Sequence, residues 1–129
     1  MKDYIENVVK TESEVTPELI ARMSDKSNIR LLHAGIGMCT EAGEFIDQLK
    51  KHIFYGKPLD RVNLKEELGD LLYYIGVAMD ELETDFDIEQ RKNIAKLKAR
   101  YGDKFSADAA INRDLDKERE ILEQSFGTK

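Results

Sequence analysis

The chain has 129 residues and a formal net charge of −6, with 41% hydrophobic and 36% charged residues. This length and balance predict one soluble globular domain, and the negative charge argues against nucleic acid or an anionic membrane as the main partner. One cysteine, no apolar signal segment after Met1 and no stretch of transmembrane length predict a cytoplasmic protein.

The predicted elements are all helical, because β-branched alternation is nearly absent and only two prolines occur. A first short helix is predicted over residues 3–11. Thr16 followed by proline predicts the N-cap and first position of a second helix over residues 17–23. Ser27 is predicted to cap a third helix that runs to about residue 54.

Residues 55–60, with the sequence YGKPLD, are the clearest loop. Asn63 follows as a predicted N-cap, and Glu66 stands at the capping-box position. The helix that they open is predicted to end near Leu82.

A further helix is predicted over residues 87–101, with Gly102 as its C-cap. Ser106 is predicted to open a last, highly charged helix that ends near residues 126–127. No linker divides the chain, so the sequence predicts a single all-α domain over residues 1–129, built as a bundle of four to five helices.

Two short acidic blocks are the most informative feature of the chain. Glu41 and Glu44 form one pair, and Glu67 and Asp70 form the other after a spacer of 22 residues. Carboxylates three residues apart share one face of a helix, where their like charges repel. The same unfavourable pairing of carboxylates occurs twice, which indicates a functional role. Converging carboxylates suit a hard divalent cation.

Placement on the helices distinguishes the two pairs. Glu67 falls inside an apolar stripe, where a carboxylate is costly unless it is paired or bound to a metal. Asp70 lies at the edge of the stripe, beside Tyr74. The stripe consists of Leu64, Leu68, Leu71, Ile75, Ala78 and Leu82.

Glu41 and Glu44 lie nearly opposite the apolar arc of the preceding helix. They belong either to a polar face or to a second packing surface that Ala34, Gly37, Glu41 and Phe45 would form. Matched glycines, Gly43 and Gly69, favour close helix approach and so the second interpretation. The arc that is predicted to face the core holds Leu32, Ile36, Cys39, Ala42, Ile46, Leu49 and Ile53.

An all-oxygen ligand set favours Mg²⁺, with Mn²⁺ as a substitute, over iron, zinc or copper. A di-iron bundle normally needs Glu-x-x-His pairs, and neither His33 nor His52 follows a glutamate at that spacing. Mg²⁺ usually completes its shell with water and substrate phosphates. The acidic blocks therefore point to a phosphate-bearing substrate.

A basic island on the predicted helix over residues 87–101, and just after it, complements the acidic blocks. It holds Arg91, Lys92, Lys96, Lys98, Arg100 and Lys104, against Asp103 alone. Asn93, Lys96 and Arg100 share one stripe of that helix and are predicted to contact phosphate, although a solvated basic face has the same pattern.

The two acidic blocks resemble the motifs of the MazG-like all-α nucleoside triphosphate pyrophosphohydrolases, which are related to dimeric dUTPases and phosphoribosyl-ATP pyrophosphohydrolases. Similar segments include LHAG from Leu32, ELGDLLYY from Glu67, NIAKLKARY from Asn93 and AINRD from Ala110. The resemblance covers about residues 27–114. One departure is Thr40, where many members carry a glutamate, and it leaves the number of metal ions open.

The resemblance implies Mg²⁺-dependent cleavage of a nucleoside triphosphate between the α and β phosphates, which releases a monophosphate and pyrophosphate. It also implies assembly as a homodimer or as a dimer of dimers.

The resemblance implies roles for the residues of this sequence that occupy the family's motif positions. It implies Glu41, Glu44, Glu67 and Asp70 as metal ligands, with Glu41 or Glu44 activating the attacking water and Glu67 essential for catalysis. Its implied substrate contacts are Asn93, Lys96, Arg100, Tyr101 and Tyr74. Two alternatives stay open: a narrow enzyme for dUTP or dCTP, and a non-enzymatic module whose acidic face binds a partner protein.

Overall fold

The computed structural model describes residues 2–125, which form seven α-helices and no strand. In chain order these helices are α1 Lys2–Val9, α2 Pro17–Met23, α3 Lys26–Tyr55, α4 Arg61–Glu81, α5 Phe86–Tyr101, α6 Ala107–Ile111 and α7 Leu115–Glu123. The all-α prediction is confirmed, with more and shorter helices than the predicted four to five. In this described part of the chain, no helix combines the length and apolarity needed to span a membrane.

The α3–α4 hairpin is the central unit of the fold. The 30 residues of α3 and the 21 of α4 are joined by residues 56–60, and Gly56 ends α3 with a left-handed φ of 67°. Arg30, near the start of α3, forms ion pairs of 2.6 Å with Asp80 and Glu81 at the end of α4. The two helices therefore run antiparallel, whereas α5 packs against α6 and α7.

Two aspartates start the central helices earlier than predicted. Asp25, rather than Ser27, caps α3 by accepting a hydrogen bond from the Asn28 amide. Asp60, rather than Asn63, caps α4 by accepting from the amides of residues 62 and 63. Aspartate satisfies the free amides of a first turn as well as serine or asparagine does. Asn63 consequently lies inside the first turn of α4.

The predicted last helix is divided in two. Ser106 caps α6 as predicted, but the helix ends at Asn112, and Asp114 then caps the separate helix α7. Asp114 starts a new helix at this point because its carboxylate accepts a hydrogen bond from the Lys117 amide. The predicted end near residues 126–127 lies outside the described residues. The other predicted caps, Thr16 before α2 and Gly102 after α5, are confirmed.

The small-residue face of α3 packs against α4. Ala34 and Gly37 are buried there and Glu41 and Phe45 are partly buried, as the second packing surface predicts, whereas Glu44 stays exposed. Among the described glycines, Gly37 alone would place a side chain against another group, the ring of Tyr74. The close approach predicted at Gly43 and Gly69 is wrong, because a side chain at either position would meet open space.

The larger apolar arc of α3 faces outward instead of into the core. Leu32, Ile36, Ile46 and Ile53 are each more than half exposed. Cys39, predicted to be a core residue, is exposed as well. The prediction fails because small side chains allow closer helix approach than large ones, so α4 packs on the small-residue face, and these arc residues stay exposed among the described residues 2–125.

Candidate functional site

Three carboxylates meet where α3 and α4 cross at their middle. Glu41 comes from α3, and Glu67 and Asp70 come from successive turns of α4. One oxygen from each residue lies within 4.8 Å of an oxygen from the other two. The antiparallel pairing of two long helices therefore brings together residues that are far apart in sequence.

Glu67 is the buried member of this acidic cluster, as its position in the apolar stripe predicted. It is 4% exposed, whereas Glu41 is partly buried and Asp70 is exposed. Burial raises the pKa of the Glu67 carboxyl above its usual value, and the charges of Glu44 and Glu41 raise it further. A hydrogen bond from Asn63 opposes this rise in the pKa.

Glu44 lies beside the acidic cluster rather than in it. Its side chain is exposed one turn after Glu41, and the group of converging oxygens does not include it. Its charge nevertheless acts on the pKa of Glu67, so the two carboxylates are close enough to interact. The structure thus brings together three of the four predicted ligands and leaves the fourth next to them.

Asn63 contacts the cluster in a way that the sequence analysis missed. Its side-chain nitrogen Nδ2 donates a 2.8 Å hydrogen bond to Oε1 of Glu67. The available signal was the spacing of four residues between Asn63 and Glu67, which places the two side chains one helical turn apart. We had assigned Asn63 to capping, a task that Asp60 performs.

The side chain of Tyr74 lies beside the acidic cluster. It follows Asp70 by one turn of α4, and its ring lies against the backbone of α3 at Gly37. It also makes edge-to-face contacts with His33 and Tyr73, with ring centroids 5.8 and 5.1 Å away. These contacts hold the aromatic ring in place next to the carboxylates.

Arg100 of the basic island is paired with a different acid. Arg100 donates two hydrogen bonds, of 2.7 and 2.6 Å, to the carboxylate of Glu118, and Arg113 reaches the same group at 2.6 Å. Glu118 is 5% exposed, and the two guanidinium groups lower its pKa to about 2. Arg100 also lies over the ring of Tyr101 at 5.4 Å.

The other predicted phosphate contacts lie on the same helix. Lys96 is partly buried and Asn93 is exposed. Helix α5 makes its principal contacts with α6 and α7 rather than with the α3–α4 hairpin. The predicted substrate residues of α5 are therefore grouped with one another, and their approach to the acidic cluster stays a prediction.

Residues 33–105 match the model of the MazG nucleotide pyrophosphohydrolase domain. This match covers more than half of the chain, including both acidic blocks and the stripe from Asn93 to Tyr101. The chain belongs to the MazG family. It is accordingly a nucleotide pyrophosphohydrolase, a hydrolase that acts on nucleoside triphosphates. Comparisons with curated proteins and with solved structures gave no match.

The acidic cluster of this MazG domain fits a small divalent cation. In an octahedral Mg²⁺ shell with bonds of about 2.1 Å, opposite ligands are about 4.2 Å apart and adjacent ligands about 3.0 Å apart. The three oxygens lie within 4.8 Å of one another, so they would have to move closer together to bind one ion. Negative oxygens repel one another without a cation between them, so a modest inward rotation of the side chains on binding is expected. Glu41, Glu67 and Asp70 are the residues that would hold the ion.

Proposed function

We propose that this MazG protein is a Mg²⁺-dependent enzyme that cleaves a nucleoside triphosphate between its α and β phosphates, giving a monophosphate and pyrophosphate. The single observation that carries the proposal is the buried carboxylate of Glu67, which converges with Glu41 and Asp70. Burying a charged group without a partner is unfavourable. A bound cation provides that partner, and Mn²⁺ can replace Mg²⁺ in an all-oxygen site.

In this proposal the acidic residues have distinct tasks. Glu41, Glu67 and Asp70 hold the ion, which neutralises phosphate charge and polarises the bond that breaks. Glu44 is exposed and lies next to them, so it can complete the ligand set or accept a proton from the attacking water. Glu41 is the alternative base. In either arrangement the acids also orient the attacking water.

Positive groups are needed where pyrophosphate departs. We assign this task to Lys96 and Arg100, with Asn93 as a neutral donor to phosphate or sugar oxygens. Arg100 keeps a fixed orientation because Glu118 binds its guanidinium through two nitrogens. Tyr101 and Tyr74 are the proposed aromatic neighbours of the nucleotide.

A cavity of about 890 Å³ is lined mainly by the last turns of α4, the first half of α5 and the end of α7, and it is large enough for a nucleoside. Met38 on its wall stands one turn before Glu41, and Ile75 follows Asp70 by five residues. Ile88 and Lys92 of α5 close the opposite side.

The proposal includes assembly into a homodimer or homotetramer. The chain exposes 10605 Å² of accessible surface at a mass of 14.8 kDa, whereas a compact monomer of this mass exposes roughly 7,000 Å². An excess of this size is on the scale of permanent oligomer interfaces. The outward apolar arc of α3, with Leu32, Ile36 and Ile46 exposed, is the surface that a second copy would cover.

Pyrophosphate release from a panel of canonical and deaminated ribo- and deoxyribonucleotides tests the proposed function. We expect release with Mg²⁺, equal amounts of monophosphate, and no release in EDTA. Release from dUTP or dCTP alone would assign a narrow enzyme, whereas release across the panel would assign removal of unwanted nucleotides from the cytoplasmic pool. Phosphate release to a diphosphate product would contradict the proposed bond cleavage.

A further inference from the structure

Asn63 connects the start of α4 to the buried acid of the site. Its Nδ2 donates to Glu67 Oε1 at 2.8 Å and also lies 3.3 Å from Glu66 Oε2. The contact is possible because Asp60 caps the helix and leaves the Asn63 side chain free to reach one turn further. The amide nitrogen thus faces the carboxylates, which is the orientation that a donor requires.

This hydrogen bond restrains the Glu67 carboxylate. With Oε1 held by Asn63, the planar group cannot rotate freely, and Oε2 remains without that bond. Restraint matters because ligand groups that are oriented before binding lose less freedom when a cation arrives. Asp70 is exposed and Glu41 is only partly buried. Glu67 is the buried carboxylate of the cluster, and it is also the one that the amide of Asn63 orients.

The other polar atom of the same amide is unsatisfied. Asn63 Oδ1 is buried and accepts no hydrogen bond from the described residues. Buried polar atoms are normally paired, so an exception calls for a reason. A cation that holds its own waters brings hydrogen-bond donors to this neighbourhood.

We propose that Asn63 is a positioning residue of the metal site, which fixes Glu67 through Nδ2 and accepts a hydrogen bond from a cation-bound water through Oδ1. This inference rests on the proposed function, because it assumes that the acidic cluster binds a divalent cation. Asn63 is not itself a ligand in the proposal. Its contribution is to the affinity of the site for the ion.

A purely structural role makes a different prediction. If Asn63 only relieved the burial of Glu67, its loss would change the stability of the metal-free protein and leave cation affinity unchanged in molecules that fold. The readout must therefore be metal binding itself, measured on variants whose helical content by circular dichroism matches that of the unchanged protein.

The experiment is a titration of the full chain with Mn²⁺. Binding is measured by calorimetry and by electron paramagnetic resonance of the free ion. Asn63→Ala removes the amide, and Asn63→Leu removes it while retaining the volume of the side chain. Val62→Ala is the matched control, because Val62 is the preceding residue of the same turn and is 78% exposed. We expect both Asn63 variants to bind Mn²⁺ about 10- to 100-fold more weakly, and the control to bind normally.

The outcomes separate the two proposals. Normal Mn²⁺ affinity in a folded Asn63→Leu protein would overturn the role of Asn63 and leave the proposed function in place. If the unchanged protein bound no Mn²⁺, both proposals would be overturned. Weaker binding in only Asn63→Ala would assign the effect to lost packing and would also overturn the role proposed for the amide.

Discussion

The ring of Tyr74 occupies the space that a side chain at Gly37 would need. This contact fixes how closely α3 and α4 approach each other, one turn away from the carboxylates on both helices. The absence of a side chain at residue 37 therefore has a consequence for the site, because the separation of the two helices sets the distances between Glu41, Glu67 and Asp70.

Gly37→Ala should destabilise the protein by about 1–3 kcal/mol, because the added methyl group would displace the Tyr74 ring or separate the helices. Gly43→Ala is the control, since residue 43 faces open space and alanine favours a helix by up to about 1 kcal/mol. Urea unfolding monitored by circular dichroism measures both. Equal effects of the two substitutions would show that the close contact at Gly37 has no energetic role.

Glu67→Gln should reduce pyrophosphate release by roughly 100-fold or more while the helical content is retained, because the substitution removes a cation ligand without changing its shape. The control is Asp47→Asn, which removes a partly buried carboxylate that is paired with Lys50 and Lys51 on the same helix as Glu41. Normal turnover by Glu67→Gln would mean that Glu67 is not part of the active site.

The metal-free protein should become less stable as pH rises through the pKa of Glu67. Its pKa is raised in the folded state, so the folded protein binds the proton more tightly and loses that advantage at higher pH. In EDTA, Glu67→Gln should remove this part of the pH dependence. Chemical unfolding between pH 4 and 8 tests the prediction, and an unchanged pH profile in Glu67→Gln would contradict it.

Glu118 should show the opposite dependence on pH. Arg100 and Arg113 lower its folded pKa to about 2, below the ordinary value of 4.5, so its contribution to stability is complete above the ordinary value and is lost as pH falls towards 2. The difference in unfolding free energy between the unchanged protein and Glu118→Gln should therefore shrink over this range. A difference that stays constant from pH 6 to pH 3 would contradict the assignment.

Ile36→Lys should shift the protein towards smaller species, because Ile36 lies on the outward apolar arc of α3 and is 55% exposed in one chain. A lysine there would bury a charge in the proposed interface. Ser13→Lys, in the exposed segment between α1 and α2, adds the same charge elsewhere. Sedimentation equilibrium gives the mass of each variant. A monomeric unchanged protein would refute the proposed assembly.

The sequence predicted the positions of the helices well because their caps and loops are local features. Thr16, Gly102 and the loop after α3 were identified from short-range chemistry alone. The burial of Glu67 was also predictable, since its stripe lies on a single helix. These inferences needed no information about which helices pack together.

Features that depend on helix pairing were harder to predict. The arc with Leu32 and Ile36 has the stronger apolar pattern, yet α4 packs on the face with Ala34 and Gly37. Periodicity records how apolar a face is, whereas the packing distance depends on how small its residues are. The bond from Asn63 to Glu67 was missed for a related reason, because which aspartate or asparagine caps a helix depends on the actual path of the preceding loop.

The most direct test of the central claim is the Mg²⁺ dependence of product formation, measured by phosphorus NMR. The proteins compared are the unchanged protein, Glu67→Gln and Asp47→Asn. The account predicts equal amounts of nucleoside monophosphate and pyrophosphate from the unchanged protein and from Asp47→Asn. It predicts a rate lower by roughly 100-fold or more for Glu67→Gln, and no product from any of the three in EDTA. Equal turnover by Glu67→Gln, or turnover that persists in EDTA, would contradict a metal-dependent site at these carboxylates.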